Sequence, residues 1–181
     1  MAIFLSIFLL AGCHSTKTVE KATQLRQRIL AAKGCIFETV VTADYGDVIY
    51  TFGIHCVFDG NGNLVFTVTE PHSIAGISGR ITDEGGRLTF DNQLLGFPML
   101  VDGQFSPVSA PWILMKSLRS GYIHSCGQTK QGTTVYIDDS FDDDALQVEL
   151  LLDNSDRPIA ADFLWKNRRI LSMQIKDFAF L

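Results

Sequence analysis

What most constrains this chain is a two-residue apolar/polar alternation that returns in segment after segment from Cys35 to Phe178. Side chains on a strand point alternately to opposite faces, so such a run makes a strand with one apolar face. Cys35, Phe37, Thr39 and Val41 alternate with polar or smaller neighbours; beyond Asp44-Tyr45-Gly46-Asp47, so do Val48, Tyr50, Phe52, Ile54, Cys56 and Phe58. The pair predicts a β-hairpin. Leu64, Phe66 and Val68 follow the turn Asp59-Gly-Asn-Gly-Asn63, and Asp83-Glu-Gly-Gly86 separates Gly79–Thr82 from Arg87–Asp91. Leu94–Val101, Thr133–Asp138, Ala145–Asp153, Pro158–Trp165 and Arg169–Phe178 complete the set. A loop of Lys166–Arg168 predicts Phe163 opposite Leu171 and Ala161 opposite Met173. Near Asp177 the alternation slips, which predicts a bulge.

Only two stretches carry a helical period. Ala22, Leu25, Ile29 and Ala32 form one stripe, with Glu20 in the first turn, Lys33 in the last and Gly34 at the C′ position. The second stretch begins near Pro111 and ends before Gly121. Trp112, Ile113, Leu114, Met115 and Leu118 make it so apolar that it needs cover on several sides. About ten or eleven strands sharing two helices give an α+β, mainly antiparallel β class. Two helices cannot cover so wide a sheet. It either closes on itself as a barrel or sandwich, or curls around a helix and leaves an apolar hollow. At 181 residues, with no internal repeat, the chain is one domain. Its 15 Lys+Arg against 20 Asp+Glu, without a basic cluster, exclude nucleic acid as a partner.

Residues 1–12, MAIFLSIFLLAG, carry no charge and are too short to span a bilayer, which takes about 20 apolar residues. They suit a signal-peptide core. Leu10-Ala11-Gly12-Cys13 resembles the lipobox of bacterial lipoproteins. That resemblance implies lipidation of the Cys13 thiol, cleavage before Cys13 and, with palmitate or similar chains, anchoring to the outside of the cell membrane, or to the outer membrane where there is one. Residues 13–18 then form a tether and 19–181 the domain. Outside the cytoplasm disulfides are permitted. If Tyr45-Gly46 is a two-residue turn, Asp44 pairs with Asp47 and Cys35 falls opposite Cys56, which predicts a Cys35–Cys56 bridge.

A lipidated N-terminus, a leading helix, about eleven antiparallel strands and an apolar helix inserted mid-chain resemble the LolA/LolB/LppX superfamily. The likeness is one of layout over most of residues 17–181. It implies a curled, unclosed β-barrel with a helical lid or plug, enclosing a cavity for lipid, acyl chains or another hydrophobic ligand. On that reading Phe37, Tyr50, Phe52, Ile54, Phe66, Trp112, Met115, Leu118 and Phe163 are the candidate ligand-binding residues. The rival reading is a non-enzymatic protein–protein module of the cell envelope with a filled core. No GxSxG, HExxH, CxxC, Walker or dinucleotide motif is present, so no enzyme, cofactor or metal site is expected. His124-Ser-Cys126 and His55-Cys56 lack metal-ligand spacing. Cys126 reads as a buried thiol. The acidic run Asp138-Asp139-Ser-Phe-Asp142-Asp143-Asp144 suits a solvated turn, or a Ca²⁺ ion that would relieve its repulsion.

Overall fold

A computed structural model describes residues 13–90, 93–97, 100–101, 104–141 and 145–181. Residues 1–12, read above as a signal segment, and Asp142–Asp144 therefore lie outside the described residues. Helix α1 (Cys13–Ala31) leads into β1 (Gly34–Asp44), β2 (Ile49–Asp59), β3 (Leu64–Glu70), β4 (Ser78–Thr82), β5 (Gly85–Phe90) and β6 (Gln93–Phe97). A small hairpin, β7 (Leu100–Val101) and β8 (Gln104–Phe105), precedes α2 (Ala110–Ser120). Then come β9 (Tyr122–Gln128), β10 (Thr133–Asp138), β11 (Gln147–Leu152), β12 (Pro158–Trp165) and β13 (Arg168–Phe180).

Eleven strands form one antiparallel sheet in the order β6-β5-β4-β3-β2-β1-β13-β12-β11-β10-β9. Its ends, β6 and β9, do not pair, so the barrel is unclosed. The expected fold class is the one observed. The apolar stripes turn inward: Ile54, Cys56, Phe66, Val148, Leu150, Phe163 and Leu171 are all buried on one side of the sheet. Against them lies α2, with Ala110 through Met115, Ser117 and Leu118 buried. α1 adds Ala22, Leu25 and Ile29 to the same core. This is how a wide sheet is covered by little helix: it wraps around α2 rather than lying flat beneath it.

Several details depart from the sequence reading. α1 is already helical at Cys13, so residues 13–18 are helix rather than tether. Gly34 opens β1 instead of capping α1, and a Cβ there would meet the Phe58 carbonyl oxygen at 2.4 Å. The β1–β2 turn has four residues, not two. Asp44 Oδ1 accepts the Gly46 N–H at 2.8 Å, and the Tyr45 N–H reaches the Val48 carbonyl at 3.1 Å. Asp44 therefore pairs with Ile49, and every partner moves by two residues. A two-residue shift keeps each side chain on its face, so the core is unaffected, but Cys35 now faces Phe58 and Cys56 faces Phe37. The expected Cys35–Cys56 bridge is absent, and both thiols are free.

At the β12–β13 turn the opposite happened. The loop is Lys166-Asn167, both with positive φ, not the three residues expected. A register shift between Phe163 and Leu164 restores Phe163 opposite Leu171 and Ala161 opposite Met173, as the alternation required. The slip at Asp177 is a bulge on β13 beside Ile36–Glu38, with Asp177 at φ 52°.

Candidate functional site

The concave face of the sheet is the candidate site, and α2 occupies most of it. Phe37, Ile54, Phe66, Trp112, Met115, Leu118 and Phe163, seven of the expected ligand-binding residues, are each no more than 3% exposed. A side chain lining a hollow keeps surface that a water-sized probe can touch; these keep almost none, so they pack against one another and against α2. The remaining two differ. Tyr50 is 47% exposed, and Phe52 is half-buried. Their rings lie 6.2 Å apart, with Tyr45 a further 6.0 Å from Tyr50.

This aromatic trio stands where β1 and β2 run past the end of the covered core. A second uncovered place lies across the sheet. Leu88 pairs with Leu95, which is 48% exposed on the concave side, and Phe97 packs edge-on against Phe66 at 6.4 Å. Gly86 leaves room for the Phe97 ring, which a Cβ would meet at 2.3 Å. The sequence marked Tyr50 and Phe52 for the site but not Tyr45, Leu88, Leu95 or Phe97. Alternation gives the face a residue points to; it does not tell how far the covering helix reaches along the strand.

α2 is held at its ends by polar contacts. Arg26 of α1 donates from Nε to the Leu118 carbonyl at 2.7 Å, and from Nη2 to the Gly121 and Ser117 carbonyls at 2.7 and 3.3 Å. These carbonyls lie at the negative end of the helix dipole, where Leu118 is among the last carbonyls that lack an intrahelical donor, while Ser117 already accepts the Gly121 N–H at 2.8 Å. Burial pushes the Arg26 guanidinium below its ordinary value, yet it stays charged at neutral pH. Toward the other end the Trp112 indole N–H donates to the Gly62 carbonyl at 3.0 Å, while Arg119, in the last turn of α2, donates from Nη1 to the Gly60 carbonyl of the same β2–β3 turn at 3.0 Å. Lys116 pairs with Asp83 at 3.2 Å on the exposed side. No sequence signal announces these ties, because Arg26 flanks the apolar stripe and its partners are backbone atoms more than 90 residues away.

A cleft of about 230 Å³ runs beside α2, lined by Trp112, Ile113, Lys116, Ser117, Asp139 and Leu146. Ligand pockets usually span about 300–1,000 Å³, so a lipid chain would need α2 to shift. The cleft's wall is fixed by Asp139, whose Oδ1 accepts the Leu146 N–H at 2.8 Å. Asp138 faces away, with Oδ2 2.9 Å from His124 Nδ1. Among the described residues no three His, Cys, Asp or Glu side chains converge as a metal site. His55 pairs with Glu38 on the convex face while Cys56 points into the core, so the two do not share a site. The free thiols sit in apolar surroundings: burial raises Cys35 to about 11 against an opposing Arg119 field, and raises Cys56 and Cys126 as well. Cys126 is half-buried rather than fully buried. Among the described residues no helix is long and apolar enough to cross a membrane.

No protein-family model and no curated protein matches the chain by sequence. Solved structures do match it in fold. An uncharacterized conserved protein from Thermus thermophilus is 13% identical, with 88% of this chain and 87% of that one covered and a TM-score of 0.50. A putative outer membrane lipoprotein-sorting protein domain from Vibrio parahaemolyticus is 10% identical, with 91% and 92% covered and a TM-score of 0.50. A LolA superfamily protein from Nitrosomonas europaea is 12% identical, with 92% and 93% covered and a TM-score of 0.47. At these identities the likeness is one of fold: the chain shares the overall architecture of the first two, here an open, eleven-stranded antiparallel sheet.

Proposed function

We propose that the protein is an extracytoplasmic lipoprotein, anchored through lipid on Cys13, that binds a hydrophobic ligand such as an acyl chain on the concave face of its open barrel. One observation carries the reading: the apolar concavity is filled by a helix, α2, tied by side-chain hydrogen bonds to the Leu118, Gly121 and Gly62 carbonyls, none of them a bond of the sheet's ladders. Tyr45, Tyr50 and Phe52 offer the first apolar surface to an arriving chain, and movement of α2 opens the deeper positions around Met115, Leu118 and Phe163. Binding rather than catalysis is the activity, since apolar burial alone selects the ligand. The anchor would keep the protein at a membrane, where such chains are found.

A second reading, an envelope protein–protein module with a filled core, is favoured by the near-complete burial of Phe37, Ile54, Phe66 and Phe163. Titration with a fluorescent fatty acid separates the two. The ligand reading expects saturable binding that Tyr50→Asp and Phe52→Asp weaken at unchanged melting temperature. Absence of saturable binding to the parent protein favours the filled module. The anchor is tested apart from the ligand: Cys13→Ser should lose palmitate labelling and leave the membrane fraction, and retention of the label would refute lipidation at Cys13.

A further inference from the structure

The open barrel has a free edge at β6. Among the described residues nothing pairs with its outer side, and its sequence, Gln93-Leu-Leu-Gly-Phe97, holds no charge and no proline. Proteins ordinarily guard an edge strand with such residues, because its unpaired N–H and C=O groups are a template for another strand.

Register tells which groups face outward. Phe90 pairs with Gln93 across a two-residue loop, so that pair exchanges hydrogen bonds. Alternation then turns Leu88–Leu95 and Gly86–Phe97 inward to each other, and leaves the N–H and C=O groups of Leu94 and Gly96 pointing out of the sheet.

The convex face beside this edge is cationic. Arg80 stands directly opposite Arg87, and Arg87 directly opposite Gly96, in one row across β4, β5 and β6. Like charges placed opposite each other destabilise a sheet. Among the described residues neither arginine has a carboxylate at ion-pair distance; Arg80 acts on Asp59 only through its field. Gly96 has nothing within 4 Å of where a Cβ would stand, so the row ends in an open trough over glycine. Arg80, Arg87, Glu84 and Gly96 line that trough, whose volume is about 410 Å³.

We propose that an extended acidic segment of a partner protein adds to the sheet as a strand along β6, bonding to the outward groups of Leu94 and Gly96 and laying a carboxylate across Gly96 onto Arg87 and Arg80. The backbone edge supplies the attachment, and the arginine row supplies the preference for Asp or Glu at the position opposite Gly96. This goes beyond the ligand reading and does not depend on it.

The probes are two labelled peptides, TVTETVT and its lysine counterpart TVTKTVT, titrated onto the full protein to about 1 mM. The acidic peptide should bind at least about tenfold tighter than the basic one, and should slow hydrogen exchange at the Leu94 and Gly96 amides. Gly96→Pro removes an outward donor on an edge where proline is tolerated, and should abolish that binding. Arg87→Glu, an exposed change, should invert the preference. Equal binding of the two peptides, no protection at Leu94 and Gly96, or unchanged preference in Arg87→Glu would overturn the proposal. So would a second copy of the chain holding this edge, seen as a dimer in sedimentation that Gly96→Pro dissolves.

Discussion

Replacing Arg26 by alanine tests whether α2 is a separable unit. The guanidinium makes two short bonds, at 2.7 Å to the Leu118 and Gly121 carbonyls, and a longer one at 3.3 Å to Ser117. Hydrogen bonds from a charged donor are worth about 1.5–3 kcal/mol each. The longer bond adds little, and the released carbonyls lie at a helix end where water can replace the donor. We therefore expect a loss of about 2 kcal/mol, less than the simple sum of the two short bonds. If that loss falls on α2 alone, its amides from Met115 to Ser120 should exchange about 30-fold faster. Native-state hydrogen exchange reads this directly, with the β1 and β13 amides around Val41 and Leu171 as internal reference. Exchange that rises equally in helix and sheet would show that α2 opens only when the whole domain does. Unchanged exchange in α2 would show that Arg26 does not hold it. Either result refutes the reasoning that makes α2 a movable plug.

Other consequences follow from single contacts. Phe163→Ala removes a ring with no exposed surface and should cost about 3–5 kcal/mol in urea unfolding. For Asp59, burial pushes the carboxyl up, but hydrogen bonds from the Asn63 side chain and the Asn63 and Asn61 backbone, with the Arg80 field, outweigh it and hold it low. Its contribution is therefore full above the unfolded value of about 4 and is lost as pH falls through the lower folded value; stability measured from pH 5 to 2 should show that loss, and Asp59→Asn should not. Of the thiols outside the lipidation site, a disulfide reagent should modify Cys126 in the native state, faster as pH rises toward its raised value, and reach Cys35 and Cys56 only on unfolding. Gly79→Ala should destabilise the β4–β5 hairpin, since a Cβ would meet the Arg87 carbonyl oxygen at 2.5 Å and the Phe66 ring at 2.7 Å; thermal melting checks it.

What could be read from the sequence was whatever repeats along a strand or helix. The inward faces of β2, β11 and β12, the buried stripe of α1 and the apolar, enclosed character of α2 all follow from period and composition. So does the pairing of Phe163 with Leu171, because a shift in register conserves a buried face even when the turn is miscounted. Turn length is a different matter. Asp44 and Gly46 can close a loop of two or four residues, and the two differ by a register shift that leaves the alternation unchanged. The four-residue turn puts Cys35 opposite Phe58 and Cys56 opposite Phe37. The ties on α2 were out of reach for a further reason: carbonyl groups carry no residue identity, so nothing in the order of amino acids announces that Arg26 will find Leu118 and Gly121. The same limit hid the open stretch of concave wall, which depends on where α2 stops rather than on the strands beneath it.

Whether the concave face takes a ligand is settled most directly by native mass spectrometry of protein purified from membranes, compared before and after extraction with organic solvent. The ligand reading predicts a non-covalent hydrophobic adduct above the covalent mass, lost on extraction, regained with added palmitate and absent from Phe52→Asp. A protein that stays at its covalent mass throughout, palmitate included, would contradict it.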